Sequence, residues 1–107
     1  MAKSINAKDI KTIIFACEAG IGSSLMSVNA LKKKMAAAKL TGIEVFHKSV
    51  TNLPADAKFI VCHNQIKKSV KAKAPEAVVM SFNFFFNDPL FDKLIMWLQE
   101  GQDIVEN

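Results

Sequence analysis

Short runs rich in β-branched and aromatic residues alternate along this chain with stretches in which apolar residues recur every three or four positions. The strand-like runs cover residues 12–16, 43–48, 59–62 and 77–80. Their length and composition predict β-strands. The run 12–16 is almost continuously apolar, as in a central strand covered on both faces, whereas the loose alternation of 43–48 predicts a strand nearer the edge of the sheet.

The stretch after the first run has the period of an amphipathic helix. Apolar residues at steps of three and four define one face, and lysines occupy much of the remainder. The apolar positions are Leu25, Val28, Leu31, Met35 and Ala38. Ser23 or Ser24 is predicted to cap the start of this helix, and Gly42 marks its end.

Capping signals predict two further helices. Asn64 precedes a short segment with two apolar positions, and Pro75 ends that segment. Asp88 is predicted to cap the last helix, and Pro89 suits its first position. The apolar face of this last helix consists of Leu90, Phe91, Leu94, Ile95 and Leu98.

Strands alternate with helices across short connections, and this order predicts the fold class. We expect a three-layer α/β domain, Rossmann-like or flavodoxin-like, with a four-stranded parallel sheet, helices on both faces and a phosphatase-like phosphate loop after the first strand. The domain is expected to span 11–100, with a flexible lead-in at 1–10 and a frayed tail at 101–107. In such sheets ligands gather at the carboxyl ends of the strands.

Length and hydrophobicity are those of one domain. The chain has 107 residues, of which 50% are hydrophobic, enough to bury one core but too few for two domains. No apolar stretch approaches the roughly eighteen residues of a membrane span, and residues 1–11 lack the apolar core of a signal peptide. We therefore expect a soluble cytoplasmic protein with no direct membrane insertion.

Charge and cysteine content exclude several classes of function. The net charge of +4 comes with 14 lysines and no arginine. Because sequence-specific nucleic-acid readers rely on arginine and on interleaved aromatic residues, no nucleic-acid partner is expected. Cys17 and Cys62 are expected to be free thiols in a reducing compartment. With the two histidines they show no metal-ligand spacing, so we predict no metal and no cofactor.

The turn between the first strand and the first helix carries the candidate chemistry. Its backbone N–H groups and the positive end of the helix dipole favour an anion, and such groups also favour the thiolate of a cysteine. Cys17 is therefore the candidate nucleophile. The predicted phosphate-binding residues are Glu18, Ala19, Gly20, Ile21, Gly22, Ser23 and Ser24. The glycine spacing matches neither an ATP-binding loop nor a dinucleotide fingerprint.

The segment 16–26 closely resembles the phosphocysteine loop of mannitol-type IIB components of the bacterial phosphoenolpyruvate-dependent sugar phosphotransferase system. Later parts of the chain are similar to further landmarks of that family, and the resemblance covers roughly residues 11–98. These landmarks are Asn52-Leu53-Pro54, Cys62-His63, Pro75, Asn83-Phe84-Phe85 and the segment 88–94. Glu18, Ile21 and Leu25 depart from the residues common in the family.

The resemblance implies a fold and a two-step reaction. It implies a four-stranded parallel sheet and a phosphohistidine on a IIA partner that passes its phosphoryl group to Cys17. The phosphocysteine would then donate to a sugar, a mannitol-like hexitol, bound by the membrane component IIC. The stretch 23–26 is also reminiscent of ascorbate-type IIB proteins, although the second half of the chain favours the mannitol type.

Two rival functions use the same cysteine. A low-molecular-weight cysteine phosphatase would need an arginine six residues after Cys17, where the chain has Ser23, and a bidentate arginine is a major stabiliser of transferring phosphate. A redox or sensor thiol would need Cys62 to approach Cys17.

Three residues at the same predicted edge are candidates for a supporting role. His63 follows a strand and is expected either to pack structurally or to contact the phosphoryl group or a partner. Phe84 and Phe85 lie in an unusually aromatic segment after the fourth strand-like run. An exposed member of that segment would mark a docking surface for a partner.

Overall fold

The computed structural model of the chain describes residues 4–17, 22–40, 42–83 and 89–105. Six strands and three α-helices occur in these ranges. In chain order they are β1 (Ser4–Asn6), β2 (Thr12–Cys17), α1 (Gly22–Ala37), β3 (Glu44–Ser49), β4 (Phe59–His63), α2 (Lys67–Lys73), β5 (Val78–Phe82), α3 (Pro89–Glu100) and β6 (Asp103–Val105). No helix in these ranges is long and apolar enough to span a membrane.

Four of the strands form a parallel sheet in the order β3-β2-β4-β5. The prediction of a four-stranded parallel sheet is thus confirmed, with β2 at an interior position and β3 at an edge. Residues 13–16 of β2 are all buried, with exposed fractions of 5% or less. A strand buried in this way must be nearly free of polar side chains, which is why the run is continuously apolar.

Helices cover both faces of the sheet, as the sequence predicted. On one face α1 and α3 pack over Ile13 and Phe15, and on the other α2 packs over Ile14 and Ala16. Alternate residues of β2 therefore belong to two separate cores, because side chains alternate across a strand. The result is the three-layer α/β architecture of flavodoxin-like domains.

Three phenylalanines form the centre of the larger core. The ring centroids of Phe15 and Phe82 are 6.2 Å apart, those of Phe15 and Phe91 are 6.0 Å apart, and those of Phe82 and Phe91 are 5.4 Å apart. All three rings are buried and tilted, the arrangement that the ring quadrupole favours. They connect the central strand, an edge strand and the last helix.

The end of α1 differs from the prediction. The helix stops at Ala37, and Lys39 adopts the left-handed conformation at φ 59°. The N–H of Leu40 donates to the Met35 carbonyl at 3.0 Å, and that of Lys39 donates to the Ala36 carbonyl at 3.1 Å. This is a Schellman motif with lysine in the position usually taken by glycine, so Gly42 lies in the connection beyond the helix end.

The helix starts are partly as predicted. Because α1 begins at Gly22, Ser23 and Ser24 lie within its first turn and do not precede it. The helix α3 begins at Pro89 as predicted, whereas its predicted cap, Asp88, lies outside the described residues.

Two short strands lie within the segments predicted to be a lead-in and a tail, and the domain bounds of 11–100 stay a prediction. Strands β1 and β6 pair antiparallel with Ile5 opposite Ile104. Ile104 is only 1% exposed and belongs to the larger core. The Asn6 side chain donates to the Asp103 carboxylate at 2.9 Å. Neither segment predicts this pairing from its own sequence, because a strand of only three residues is stable only when it is paired with the other.

Replacing Ile104 with alanine tests this terminal pairing. We expect Ile104→Ala to lower the free energy of unfolding by about 2–5 kcal/mol, since it leaves a cavity in the core. Val105→Ala is the matched control in the same strand, because Val105 is 51% exposed and should change stability by less than about 0.5 kcal/mol. Urea unfolding measures both, and equally small effects would show that β6 is frayed in solution.

Candidate functional site

The carboxyl ends of the strands bring the predicted site residues to one edge. Cys17, the last residue of β2, is in register with Ser49, the last residue of β3. Ala16 pairs with Cys62, so Cys17 and His63 each lie one residue beyond that pair on neighbouring strands. The sheet therefore places the Cys17 backbone between the ends of β3 and β4.

The long helix α1 begins close to Cys17 in the chain. Gly22, Ser23 and Ser24 are its first three residues, and the helix is 16 residues long. The first N–H groups of an α-helix have no partner within the helix, and the helix dipole adds positive potential there. A strand that ends in a cysteine thus leads, after four residues, into the end of a helix that favours anions.

Several predicted site residues fall outside the part of the chain that the structure describes. They are Glu18, Ala19, Gly20 and Ile21 in the turn and Phe84 and Phe85 in the segment after β5. Their assignment as phosphate-binding or partner-contacting residues stays a prediction. The backbone of Asn83, the last described residue before that segment, is held by His63.

The His63 ring contacts two backbone groups and one aromatic side chain at this edge. Its Nδ1 accepts a hydrogen bond from the N–H of Gln65 at 3.1 Å, and its Nε2 lies 3.0 Å from the carbonyl oxygen of Asn83. Since Nδ1 accepts, the ring carries its proton on Nε2 and donates it to Asn83. The ring also meets Phe82 edge-on, at a centroid distance of 5.7 Å. Both ring nitrogens therefore serve the local structure.

This arrangement corrects the predicted helix start after β4. The sequence suggested that Asn64 caps the helix, but Asn64 begins a 3₁₀ turn whose capping side chain is that of His63. The helix α2 follows at Lys67 and ends at Lys73, two residues before Pro75. Sequence reasoning missed this because a histidine is a rarer cap than asparagine, and its second partner, Asn83, is twenty residues away.

Cys62 is a core residue, as the sequence favoured. It is 0% exposed and packs with Ala16, Val79 and other residues of the smaller core. Burial raises the pKa of its thiol to about 12, although the nearby Lys67 ammonium lowers it somewhat. A thiol of this kind stays protonated near neutral pH and is a poor nucleophile. It gives no support to a redox pairing with Cys17.

Sequence reasoning also missed a hydroxyl pair at the same edge. The Oγ of Ser49 lies 3.1 Å from the Oγ1 of Thr51, and either hydroxyl can donate. Only the strand register shows that Ser49 is opposite Cys17. No cluster of three or more metal-binding side chains occurs among the described residues.

The fold and the carboxyl edge of the sheet together define a class of protein domain. It is a parallel α/β domain in which a cysteine ends the interior strand β2 shortly before a long helix begins. The chain belongs to the family described as "PTS system, Lactose/Cellobiose specific IIB subunit", whose model matches residues 12–89. It is thus a IIB domain of the sugar phosphotransferase system.

Curated relatives agree with this family. The chain is 37% identical over 99 residues to the PTS system mannitol-specific EIICB component of Bacillus subtilis, covering 92% of this chain and 20% of that protein. It is 41% identical over 98 residues to the component of the same description from Geobacillus stearothermophilus, with the same coverage. The mannitol-specific EIICBA component of Buchnera aphidicola is 38% identical over 98 residues, covering 92% of this chain and 16% of that protein. The chain thus spans about a fifth or less of the length of these relatives.

Variants of His63 test its structural role. His63→Ala removes an acceptor and a donor, and we expect it to lower the free energy of unfolding by about 1–3 kcal/mol. His63→Asn should recover part of this loss, because its side-chain oxygen can accept from the Gln65 N–H. Urea unfolding at neutral pH measures the effects, with His47→Ala as a control because His47 is exposed. Identical unfolding midpoints for all four proteins would contradict the assigned hydrogen bonds.

The buried thiol of Cys62 gives the protein a specific sensitivity to alkali. Its pKa rises from 9.0 to about 12 on folding, so its contribution to stability is complete below about pH 9 and is lost as the pH rises towards 12. We expect the free energy of unfolding of the natural protein to fall relative to that of Cys62→Ala as the pH rises from roughly 8 to 10.5.

Chemical unfolding monitored at several pH values measures this difference, and the comparison isolates the thiol because the two proteins differ only at residue 62. The natural protein at pH 8 should also react with iodoacetamide at Cys62 only after urea is added, as peptide mass mapping can show. A constant difference between the two proteins across the pH range, or rapid native-state labelling of Cys62, would contradict the burial argument.

Proposed function

We propose that this IIB domain carries a phosphoryl group on Cys17, accepting it from a phosphohistidine of a IIA partner and donating it to a sugar bound by a membrane IIC component. The observation that carries the proposal is the position of Cys17, at the carboxyl end of the interior strand β2 and separated by four residues from the start of α1. Membership of the IIB family supports it. The work of such a carrier takes place in the cytoplasm, where phosphoenolpyruvate is the primary donor.

The proposed reaction has two displacements at phosphorus. In the first, the Cys17 thiolate attacks, the S–P bond forms and the N–P bond of the phosphohistidine breaks, leaving its electron pair on the imidazole nitrogen. In the second, a sugar hydroxyl attacks, an O–P bond forms, the hydroxyl proton leaves to a base or to water, and the S–P bond breaks to restore the thiolate. No cofactor is needed for either step.

The protein's contribution is alignment and charge stabilisation. Phosphoryl transfer requires an in-line arrangement and donors for the three equatorial oxygens. We propose that backbone N–H groups from about Glu18 to Ser24 donate to these oxygens, with the hydroxyls of Ser23 and Ser24 assisting. The positive end of α1 would stabilise both the thiolate and the phosphocysteine.

The proposed sugar is a mannitol-like hexitol. Three relatives with 37–41% identity carry descriptions that name mannitol, whereas the family description names lactose and cellobiose. Identity over 92% of the chain to proteins of one description is the stronger guide. An ascorbate-type IIB, suggested by the stretch 23–26, has no comparable support.

A phosphatase is the alternative that uses the same turn. Its hydrolytic step would need strong stabilisation of the pentacoordinate phosphorus, usually from a bidentate arginine. The chain has no arginine at all. The phosphocysteine would then be stable enough to wait for its acceptor, which suits a carrier.

Phosphorylation in a reconstituted system tests the proposal. The protein is incubated with phosphoenolpyruvate, the general phosphotransferase proteins and a mannitol-type IIA, and then weighed intact and mapped by mass spectrometry. We expect one phosphoryl group on Cys17, none in Cys17→Ser, and normal labelling in Cys62→Ser, because Cys62 is buried in the core. Circular dichroism confirms that the variants are folded.

Two results would overturn the carrier. One is phosphate on a histidine, or equal labelling of the natural protein and Cys17→Ser. The other is steady hydrolysis of an aryl phosphate that disappears in Cys17→Ser, which would favour the phosphatase.

A further inference from the structure

Cys17 has a neighbour on each side at the carboxyl edge of the sheet. On β3 it is in register with Ser49. On β4 its neighbour is His63, because the preceding pair in the register is Ala16 with Cys62. Neighbouring strands lie about 4.8 Å apart, so a side chain at either neighbouring position is within reach of a group carried at position 17.

These three positions belong to the face of the sheet that α1 and α3 cover. Because side chains alternate along a strand, Ser49 shares the face of Val45, which is buried in the larger core. Position 17 likewise shares the face of Phe15 in that core. His63 is on the same face, since its ring meets Phe82 of the larger core edge-on. The two neighbours therefore flank position 17 on the side of the sheet that α1 covers.

The His63 ring directs its nitrogens to the backbone. Its Nδ1 accepts from the Gln65 N–H at 3.1 Å, and its Nε2 donates to the Asn83 carbonyl at 3.0 Å. The hydroxyl of Ser49, by contrast, can rotate and is both a donor and an acceptor. Of the two neighbours, Ser49 is thus the one that can turn a polar hydrogen towards position 17.

The Ser49 hydroxyl is held by a second hydroxyl. Serine is a preferred capping residue, and Ser49 precedes the 3₁₀ turn 50–52, yet its side chain makes no capping hydrogen bond. Its Oγ lies instead 3.1 Å from the Oγ1 of Thr51. When Thr51 donates in this pair, the Ser49 oxygen accepts and can donate its own hydrogen to a third group. Hydrogen bonds in such a chain strengthen one another.

We propose that the Ser49 hydroxyl, oriented by Thr51, donates a hydrogen bond to the thiolate of Cys17. The inference rests on the proposed function, in which Cys17 is the nucleophile. Ser49 is then a catalytic residue, since it contacts the reacting sulfur, and Thr51 is a positioning residue. The hydroxyl keeps its hydrogen throughout. When the S–P bond forms, negative charge moves from sulfur to the phosphoryl oxygens, and the same hydroxyl can turn to one of them.

A hydrogen bond of this kind favours the thiolate over the thiol, because it is stronger to the ionised form. Other titratable groups lie near position 17. His63 is its neighbour on β4, and His47 and Lys48 precede Ser49 on β3, whereas the first turn of α1 contains no acidic residue. A substitution at Ser49 removes none of these groups, so a comparison of variants isolates the hydroxyl.

The pH dependence of alkylation tests the hydrogen bond without a partner protein. Iodoacetamide reacts with the thiolate, and peptide mass mapping follows the modification of Cys17 alone. We expect Ser49→Ala to slow this reaction roughly threefold or more on the acidic side of the profile and to leave the plateau at high pH within about twofold, because the thiolate fraction is what changes. Ser49→Thr keeps the hydroxyl and should react as the natural protein does. Thr51→Val should act in the same direction as Ser49→Ala, but less strongly.

Two comparisons separate the hydrogen bond from a loss of structure. Ser69→Ala removes a hydroxyl from an exposed position of α2 and should leave the whole profile unchanged, and urea unfolding shows whether each variant is folded. Equal slowing by Ser49→Ala at every pH would mean that Ser49 only shapes access to the cysteine. A profile that Ser49→Ala does not change would mean that the hydroxyl does not reach the sulfur. Either result overturns the inference.

Phosphoryl transfer keeps this inference distinguishable from the proposed function. With phosphoenolpyruvate and the donor proteins, Ser49→Ala should still be labelled on Cys17, but more slowly than the natural protein at the acidic end of the usable pH range. Absence of label on Cys17 of the natural protein would refute the carrier, while the alkylation profile would still decide the hydrogen bond. Normal labelling of Ser49→Ala together with an unchanged alkylation profile would refute the role of the hydroxyl alone.

Discussion

Burial of β2 on both faces is the constraint on which the rest of this domain depends. Its residues 13–16 have no polar side chains and almost no exposure, so their backbone groups must be paired by strands on either side, here β3 and β4. Parallel strands require crossovers, and the helices that form them cover the two faces. The same constraint brings Cys17 to the carboxyl edge, where the chain leaves the sheet and enters α1.

The two cysteines occupy different positions in the fold, and we propose different chemistries for them. Cys62 lies within a strand, enclosed by apolar side chains, and burial raises the pKa of its thiol to about 12. Cys17 ends a strand beside the start of a helix, a position that favours the thiolate. In the carrier that we propose, backbone N–H groups would hold the phosphoryl group there, without the arginine fork that accelerates hydrolysis in phosphatases.

The periphery of the sheet is stabilised unevenly. Residues 4–6 and 103–105 pair as β1 and β6 and are anchored by Ile104, and most residues of β5 are buried. Near the site, His63 holds the ends of β4 and β5 in a fixed relation through two backbone groups. The β3 edge carries exposed residues of both charge signs, Glu44 and Lys48, which discourage unspecific strand pairing.

The sequence by itself determined the four strands, the three helices, the parallel architecture and the cysteine at the carboxyl end of the interior strand, because hydrophobic period and glycine and proline positions act over a few residues. Its resemblance to IIB proteins predicted the family. Only the tertiary structure decided that β1 pairs with β6, that His63 and not Asn64 caps the turn after β4, and that Ser49 lies opposite Cys17. These features join residues far apart in the chain, such as Asn6 and Asp103 at a separation of 97. A three-residue strand or a ring nitrogen has no local signal for such a partner, since its stability comes from contacts that exist only once the sheet has formed.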